Sequence, residues 1–476
     1  MSDNTPRGRL VIIVLASSAF AAATTAILFV GMRRRKKESQ HNQTSCNQRQ
    51  QKLLLLRVDP SNTITTAYEQ LIEDGTPMIY LRQISKHIQR NVYCKMESFN
   101  PGGTGKDRAA LSMIRTAEKE GWLPSPHSLI QTKKHGTQFT VRKEPFVTTR
   151  RDNDPPLVQE IINKIHLAME HSTTGGLVVE GTSGSTGIAL ATLCASRGHA
   201  CLVVMPDDQA MEKQRILGAL GAVVHVVPNA AISNPHHYVN VANKAATVAR
   251  DRFGIAAVFM NQFENEANFE IHYRQTGPEL FRQCPQLDAF VMSSGTGGTI
   301  AGVSKYLKQV RPTCRVALVD PPGSALYHRI EHGVAYATQQ AERTLRRHRY
   351  DTLAEGIGLD RLTYNFSLGL DCIDRAIRVS DQEAVDMAHF LLEQEGLWVG
   401  SSSAMNVVGA LRTALSLPPD STVVTVICDG GQRHATRFWN PMFIRDEWGL
   451  IWPPDERNKN GTRRIPECLK EFVLNA

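Results

Sequence analysis

Residues 176–190 read GLVVEGTSGSTGIAL. An apolar run ends at Glu180, a turn of glycines and hydroxyl residues follows, and apolar residues then recur at helical spacing from Ile188. This order predicts a buried strand, a tight turn and a helix. Because N–H groups and hydroxyls at the start of a helix suit an anion, the turn is a candidate site for a carboxylate or a phosphate. Serine and threonine are also ordinary helix caps, so the turn alone leaves both interpretations open.

The same pattern extends outward over most of the chain. Five other apolar runs end near Gly, Pro or Asp, namely HACLVVMP (199–206), AVVHVVP (222–228), DAFVMSSG (288–295), CRVALVD (314–320) and STVVTVICDG (421–430). Such runs, separated by amphipathic stretches, are typical of parallel strands that are buried on both faces. From about Leu53 the chain is therefore predicted to be a doubly wound α/β protein, with ligands beyond the carboxyl ends of its strands.

A second glycine-rich turn places a lysine at the start of a helix. Residues 100–111 read NPGGTGKDRAAL, and Lys106 follows the chain-breaking Asn-Pro-Gly-Gly. The helix dipole opposes a positive charge at this end, which favours a lowered pKa for Lys106 and an amine able to attack a carbonyl. A solvated surface lysine is the ordinary alternative. A phosphate-binding P-loop fits less well, because its lysine is followed by Ser or Thr and here Asp107 follows.

The third turn, SGTGGTIAGV at 294–303, also lies between a buried run and a helical pattern. Its glycines allow the backbone to approach a phosphate, whose charge the helix start complements. On its own this spacing also fits a nucleotide-binding turn.

The composition of the chain argues against several classes of protein. The chain has 476 residues, and its 42% apolar and 21% charged residues are typical of a globular protein. Lys and Arg (54) exceed Asp and Glu (46), but five basic residues stand together at 33–37, so nucleic acid is not an expected partner. The nine cysteines show no CxxC spacing, which favours reduced thiols over disulfides or a zinc ribbon, and no metal site is predicted.

The N-terminus predicts a membrane anchor. Residues 10–30 carry no charge, and RRRKK follows at 33–37. Twenty-one residues of helix span about 30 Å, the thickness of a bilayer core, and the basic flank predicts that the bulk of the chain faces the cytosol. A cleaved signal peptide is the main rival. We expect an anchor at 1–37, a flexible tether at 38–51, and the mitochondrial outer membrane as its location, with the endoplasmic reticulum as the alternative.

Taken in order, seven stretches resemble one known family. They are NPGGTGKDRAA, EGTSGSTGIALA, MPDDQAMEKQRILGALGA, NQFENEANFEIHYRQTGPEL, SSGTGGTIAGVSKYLK, EGIG and EQEGLWVGSSSAMNVVGAL. They resemble the cysteine synthase and cystathionine β-synthase family of fold-type II pyridoxal-phosphate enzymes, and most closely its membrane-anchored, fungal cysteine synthase-like members.

This resemblance implies a fold like that of the tryptophan synthase β-subunit, with two doubly wound α/β domains and the cofactor between them. The larger, cofactor-binding domain would comprise 52–95 and 263–476, and the smaller domain 96–262. Two polar segments, 133–155 and 337–350, would be surface insertions. Family members commonly form homodimers.

The resemblance also implies roles for individual residues. Lys106 would form a Schiff base with pyridoxal 5'-phosphate and remove the substrate α-proton. The cofactor phosphate would be bound by Gly295, Thr296, Gly297, Gly298 and Thr299. The substrate carboxylate would be bound by Thr182, Ser183, Thr186 and Gln262.

Two positions depart from the family pattern. Ser185 stands where the family has an Asn that bonds the hydroxyl of the cofactor ring, and Gly430 stands where a Ser usually faces the ring nitrogen. The resemblance favours a cysteine synthase, which makes L-cysteine and acetate from O-acetylserine and sulfide through an aminoacrylate. Because of the departures, a β-elimination enzyme acting on serine or cysteine, and an impaired member with a binding or regulatory role, remain alternatives.

Overall fold

The structure is a computed structural model that describes residues 67–126, 154–336 and 352–452. All of them belong to one compact unit, Ile64–Ala476. The predicted anchor and tether lie outside the described residues, as do 337–350 and all but the last two residues of 133–155. Within the three described ranges, no helix is both long enough and apolar enough to cross a membrane.

The described strands form two sheets. The strands are β1 (Met78–Tyr80), β2 (Asn91–Met96), β3 (Gly176–Gly181), β4 (Ala200–Pro206), β5 (Val223–Val227), β6 (Ala256–Phe259), β7 (Ala289–Ser293), β8 (Arg315–Asp320), β9 (Arg375–Arg378) and β10 (Thr422–Ile427). One sheet has the order β1-β2-β10-β7-β8-β9 and the other β5-β4-β3-β6. Only β1 pairs antiparallel among these strands, with β2, and every other described pair is parallel.

Helices connect these strands. They are α1 (Ala67–Glu73), α2 (Arg82–Ile88), α3 (Lys106–Lys119), α4 (Pro156–Met169), α5 (Ser185–Arg197), α6 (Met211–Ala219), α7 (Tyr238–Phe253), α8 (Glu266–Ile271), α9 (Gly277–Gln283), α10 (Gly298–Val310), α11 (Leu326–His332), α12 (Tyr364–Ser367), α13 (Asp381–Phe390), α14 (Ser401–Leu415) and α15 (Pro441–Trp448). A turn of π-helix at His272–Thr276 joins α8 to α9.

All six apolar runs singled out in the sequence are strands, and this prediction is confirmed. In β3, β4, β7 and β10 every residue is buried, because helices cover both faces of the parallel sheets. Shorter strands do not show such an apolar run in the sequence. β9 reads RAIR and exposes both of its terminal arginines, so its composition resembles a loop.

Strand register explains why distant segments meet. Met96, the last residue of β2, pairs with Ile427, the last residue of β10, so residues 97–106 and 428–434 leave the sheet at the same edge. β7 runs parallel on the other side of β10, and the turn at 294–299 therefore leaves at that edge too. The four-stranded sheet draws its strands from 176–259 alone. The domain boundaries given above stay a prediction.

Candidate active site

The turn before Lys106 is fastened by a buried carboxylate. Glu97 Oε2 accepts hydrogen bonds from Asn100 Nδ2 at 2.9 Å and from Arg108 Nε at 2.8 Å. Burial alone would raise the pKa of Glu97, but the Arg108 guanidinium lowers it to about 2. The ion pair therefore ties both sides of the turn together and fixes where Lys106 begins α3.

Lys106 is partly buried, and its pKa lies below the usual value of a lysine. Burial is the largest cause, because desolvation disfavours the ammonium form, while Cys428, Asp429 and Glu97 act in the opposite direction. The direction agrees with the position of Lys106 at a helix start, although burial contributes more than any other cause. A lysine in this environment holds its amine closer to the neutral, nucleophilic form.

The end of β10 faces this lysine. Thr104 and Asp429 form an antiparallel bridge, which brings the lysine turn against residues 428–430. Asp429 Oδ2 lies 3.0 Å from His434 Nε2, whereas Oδ1 is buried without a hydrogen-bond partner among the described residues. Burial alone would raise the pKa of Asp429, but His434 and Arg433 hold it below its usual range, so the carboxylate is charged at neutral pH.

Gly430, which departs from the family pattern, has no space beside it for a side chain. A Cβ added at Gly430 would meet the side chain of Gln432 within its own segment. The polar group beside the neighbouring Cys428 comes from α14, since Asn406 Nδ2 lies 3.4 Å from its Sγ. Burial raises the pKa of Cys428 to about 11. Whether Gly430 lies at the cofactor ring stays a prediction.

The turn at 294–299 is closely packed against other parts of the backbone. Gly297 has φ +88°, and a Cβ there would lie 2.6 Å from Cα of Phe366. A Cβ on Gly295 would overlap the carbonyl oxygen of Gly356, and one on Gly298 would lie 2.7 Å from Cγ of Asn268. These glycines are therefore required by the space as well as by the turn.

Polar groups surround the same turn. Thr296 Oγ1 accepts from Asn268 Nδ2 at 2.9 Å, and Thr299 Oγ1 lies 3.1 Å from His272 Nε2. The hydroxyl of Ser294 is buried and has no hydrogen-bond partner within the described part of the chain. The first N–H groups of α10 lack intrahelical acceptors, and the helix dipole favours an anion in front of them.

His272 lies against this turn. Burial is the largest cause that lowers its pKa to about 3, and the positive charges of Arg108 and Lys106 act in the same direction against the charge of Glu97. Its ring therefore stays neutral at physiological pH while it lies against Thr299. Lys106 and the 294–299 turn both follow strands that end at the same edge of the six-stranded sheet.

The turn at 181–187 contains or contacts the residues that the sequence predicts to bind the substrate carboxylate. Thr186 Oγ1 donates to Gln262 Oε1, and Gln262 Nε2 donates to Glu180 Oε1 at 3.2 Å. Thr182 Oγ1 accepts from the N–H of Gly184 at 3.1 Å, which makes it a stabiliser of its own turn. The structure thus brings Thr186 and Gln262 into contact. Ser183 and Ser185 are partly exposed on the same segment.

An asparagine joins this turn to the phosphate candidate. Asn268 Nδ2 donates to the carbonyl of Gln262 at 2.9 Å as well as to Thr296. Asn365 Nδ2 also donates to Gln262 O, again at 2.9 Å. Asn268 lies in the family-like stretch NQFENEANFEIHYRQTGPEL, but the sequence alone predicts no role for it. A local sequence signal was lacking, because these contacts arise only when separate strand ends converge.

With this geometry in place, comparisons with known proteins define the class. The description "Pyridoxal-phosphate dependent enzyme" belongs to a family model that matches residues 70–136 and 158–429. The chain belongs to this family, and pyridoxal 5'-phosphate is the cofactor of its members.

Individual relatives carry more specific names than the family model does. The chain is 40% identical to cysteine synthase 2 of Schizosaccharomyces pombe over 88% of its own length and 94% of that protein. It is 42% identical to a Saccharomyces cerevisiae protein named, provisionally, as a mitochondrial cysteine synthase, over 78% of this chain and 83% of the relative. A crystal structure of O-ureido-L-serine synthase is similar with a TM-score of 0.58 and 26% identity, covering 82% of this chain and 96% of the other.

The residues present fit this cofactor. Its aldehyde requires an amine that is readily neutral, and Lys106 is such an amine. Its phosphate requires N–H groups without side chains in the way, which the glycines before α10 supply, together with the unpartnered hydroxyl of Ser294.

Proposed function

We propose that this protein is a pyridoxal-phosphate dependent cysteine synthase that converts O-acetylserine and sulfide into L-cysteine and acetate. The observation that carries the proposal is the partly buried Lys106, whose pKa burial lowers, at the same sheet edge as the glycine turn that begins α10. Identities of about 40% to cysteine synthases over most of the chain support this chemistry over other reactions of the family.

Each candidate residue has a role in the proposal. Lys106 would hold the cofactor aldehyde through Nζ and would serve as the base that removes the substrate α-proton. Gly295, Thr296, Gly297, Gly298 and Thr299 hold the phosphate. When bound, the cofactor supplies an electron sink for bond breaking at the α- and β-carbons of the substrate.

The turn after β3 orients the amino acid. Thr182, Ser183, Thr186 and Gln262 bind its carboxylate, either directly or by shaping the turn. Ser185 would offer the cofactor ring a short hydroxyl in place of an Asn side chain, and Gly430 would offer the ring nitrogen no side-chain partner. A β-elimination enzyme acting on serine or cysteine is the second candidate, favoured by the reduced reach of Ser185.

The test uses the purified protein loaded with cofactor. We expect visible absorption from the bound cofactor, a change of that band on adding O-acetylserine, and L-cysteine once sulfide is present. Lys106→Ala should lower the rate by about 1,000-fold, as expected for loss of a base and nucleophile. Lys119→Ala, at the exposed end of the same helix, is the matched control and should keep the full rate.

Two other outcomes would point to a different function. Pyruvate and ammonia from serine or cysteine, without cysteine synthesis, would support the elimination enzyme. A protein that binds no cofactor would contradict both reactions and leave a binding or regulatory role.

We also propose that residues 10–30 anchor the enzyme in the mitochondrial outer membrane, with the catalytic part facing the cytosol and acting as a homodimer. The uncharged 21-residue stretch and the RRRKK that follows it support the anchor. The mitochondrial name of the Saccharomyces cerevisiae relative supports the organelle. Fractionation of full-length protein and of a variant lacking 1–37 tests the anchor, since only the full-length form should sediment with membranes.

A further inference from the structure

Lys213 lies on α6, outside the three glycine-rich turns, yet it contacts one of them. Its side chain is buried, and a Cβ added at Gly184 would lie 3.1 Å from Cγ of Lys213. The aliphatic part of this lysine therefore covers the 181–187 turn at Gly184, where φ is +134°.

The ammonium group of Lys213 pairs with Glu355, which lies 142 residues further along the chain. Glu355 also faces Arg437 Nε at 3.2 Å and His434 Nδ1 at 3.6 Å. Burial alone would raise the pKa of Glu355, but Lys213, His434 and Arg437 hold it below its usual range. A charged carboxylate is therefore kept in a buried position by positive groups from two other segments.

Glu355 stands where three parts of the candidate site meet. The carbonyl of the next residue, Gly356, lies against Gly295 in the 294–299 turn. His434 reaches from Glu355 to Asp429 at the end of β10. Lys213 completes the connection to the 181–187 turn.

We propose that Lys213 and Glu355 form a buried latch that holds the 181–187 turn in the geometry that binds the carboxylate of the amino-acid substrate. The inference rests on the proposed role of this turn in carboxylate binding. Lys213 is a positioning residue, because it acts through the backbone of Gly184. Buried ion pairs add little net stability, since desolvation offsets their attraction, whereas breaking one leaves a charge without compensation. The pair therefore fixes the geometry of the turn more than it stabilises the fold.

The first test separates positioning from stability. Lys213→Met keeps the aliphatic stem and removes the charge, and we expect KM for O-acetylserine to rise about tenfold while kcat changes less than about threefold. The band of the bound cofactor should persist, because the 294–299 turn keeps its own contacts. Lys213→Arg, which keeps the charge, should restore most of the affinity.

Lys308→Met is the matched control. It removes the same charge from an ion pair with Asp374, 2.7 Å long, near the end of α10. We expect KM to stay at the wild-type value. A rise in KM as large as that of Lys213→Met would mean that loss of any paired lysine has this effect, and it would overturn the latch.

The second test does not depend on the reaction. Hydrogen exchange of the cofactor-loaded enzyme should become about tenfold faster in the peptide that contains 181–187 when Lys213 is Met, with a smaller change at 294–299. If the wild-type protein makes no cysteine but this change is seen, the proposed function fails and the latch stands. Unchanged exchange at 181–187 overturns the latch. Should Lys213→Met not fold, Glu355→Gln removes the partner charge with nearly the same shape and carries the same expectations.

Discussion

The turns at 294–299 and 181–187 follow the same strand-turn-helix pattern, but different contacts hold them in place. Around 294–299, a Cβ on Gly297 would meet backbone atoms of Phe366, and one on Gly295 would meet a carbonyl oxygen. In the 181–187 turn, a Cβ on Gly184 would meet the side chain of Lys213, whereas one on Gly181 would meet the backbone of Val239. A side chain therefore covers this turn at Gly184, and that side chain is buried and paired with Glu355.

This difference suggests that the two turns bind different ligands. A turn enclosed by backbone suits a permanently bound group such as a phosphate. The 181–187 turn depends at Gly184 on a side chain that an ion pair holds in place, which suits the repeated binding of the same substrate carboxylate. From the residues alone each turn is a candidate anion site, and the family resemblance assigns the phosphate to 295–299 and the carboxylate to the 181–187 turn.

The largest effect is expected from placing the same substitution in both turns. Gly297→Ala forces a side chain at φ +88° against Phe366, a strain and overlap worth on the order of 3 kcal/mol. Cofactor affinity should fall by about 100-fold, measured by titration of the visible band. Gly184→Ala, also at positive φ, should keep the cofactor and raise KM by about tenfold, because the added Cβ would displace the buried side chain of Lys213 from the turn. Equal loss of cofactor in both variants would remove the distinction between the turns.

A smaller effect is expected within α5. Thr186→Val removes the hydrogen bond to Gln262 Oε1, which is worth about 1 kcal/mol, so KM for the amino acid should rise about fivefold. Thr192→Val is the matched control, since the Thr192 hydroxyl donates to the carbonyl of Ile188 one turn earlier in the same helix. Steady-state kinetics in which the two variants behave alike would show that Thr186 caps the helix and does not serve the site.

The smallest expected effect is a dependence of stability on pH, and it differs between the two turns. Beside 294–299, burial keeps His272 neutral with a pKa of about 3, so this turn carries no titration near neutral pH. Before 181–187, burial raises the pKa of Glu180 to about 8 from an ordinary 4.5, so the fold prefers the protonated carboxyl. Its contribution to stability is complete below about pH 4.5 and is lost as the pH rises through about 8.

Glu180→Gln lacks this titration while keeping an acceptor for Gln262. The free energy of unfolding of the wild type, measured with denaturant, should therefore fall relative to the variant as the pH rises from about 5 to about 8. Glu120→Gln, at an exposed position after α3, should follow the wild type. A pH-independent difference between wild type and Glu180→Gln would show that Glu180 is charged in the fold.

Local patterns were sufficient for much of this molecule. The six apolar runs became strands because burial on both faces leaves no room for polar residues, and Lys106 begins a helix because Asn-Pro-Gly-Gly ends the segment before it. Lys213, Glu355 and Asp429 escaped notice for a physical reason. Each is an ordinary charged residue in its own segment, and only the convergence of strand ends brings them together.

The account depends most directly on the covalent partner of the cofactor. Reduction of the loaded enzyme with borohydride, followed by digestion and mass spectrometry, should place the mass of the reduced cofactor on the peptide that contains Lys106, and Lys106→Ala should lack any labelled peptide. Label on a different lysine in the wild-type enzyme would contradict the account.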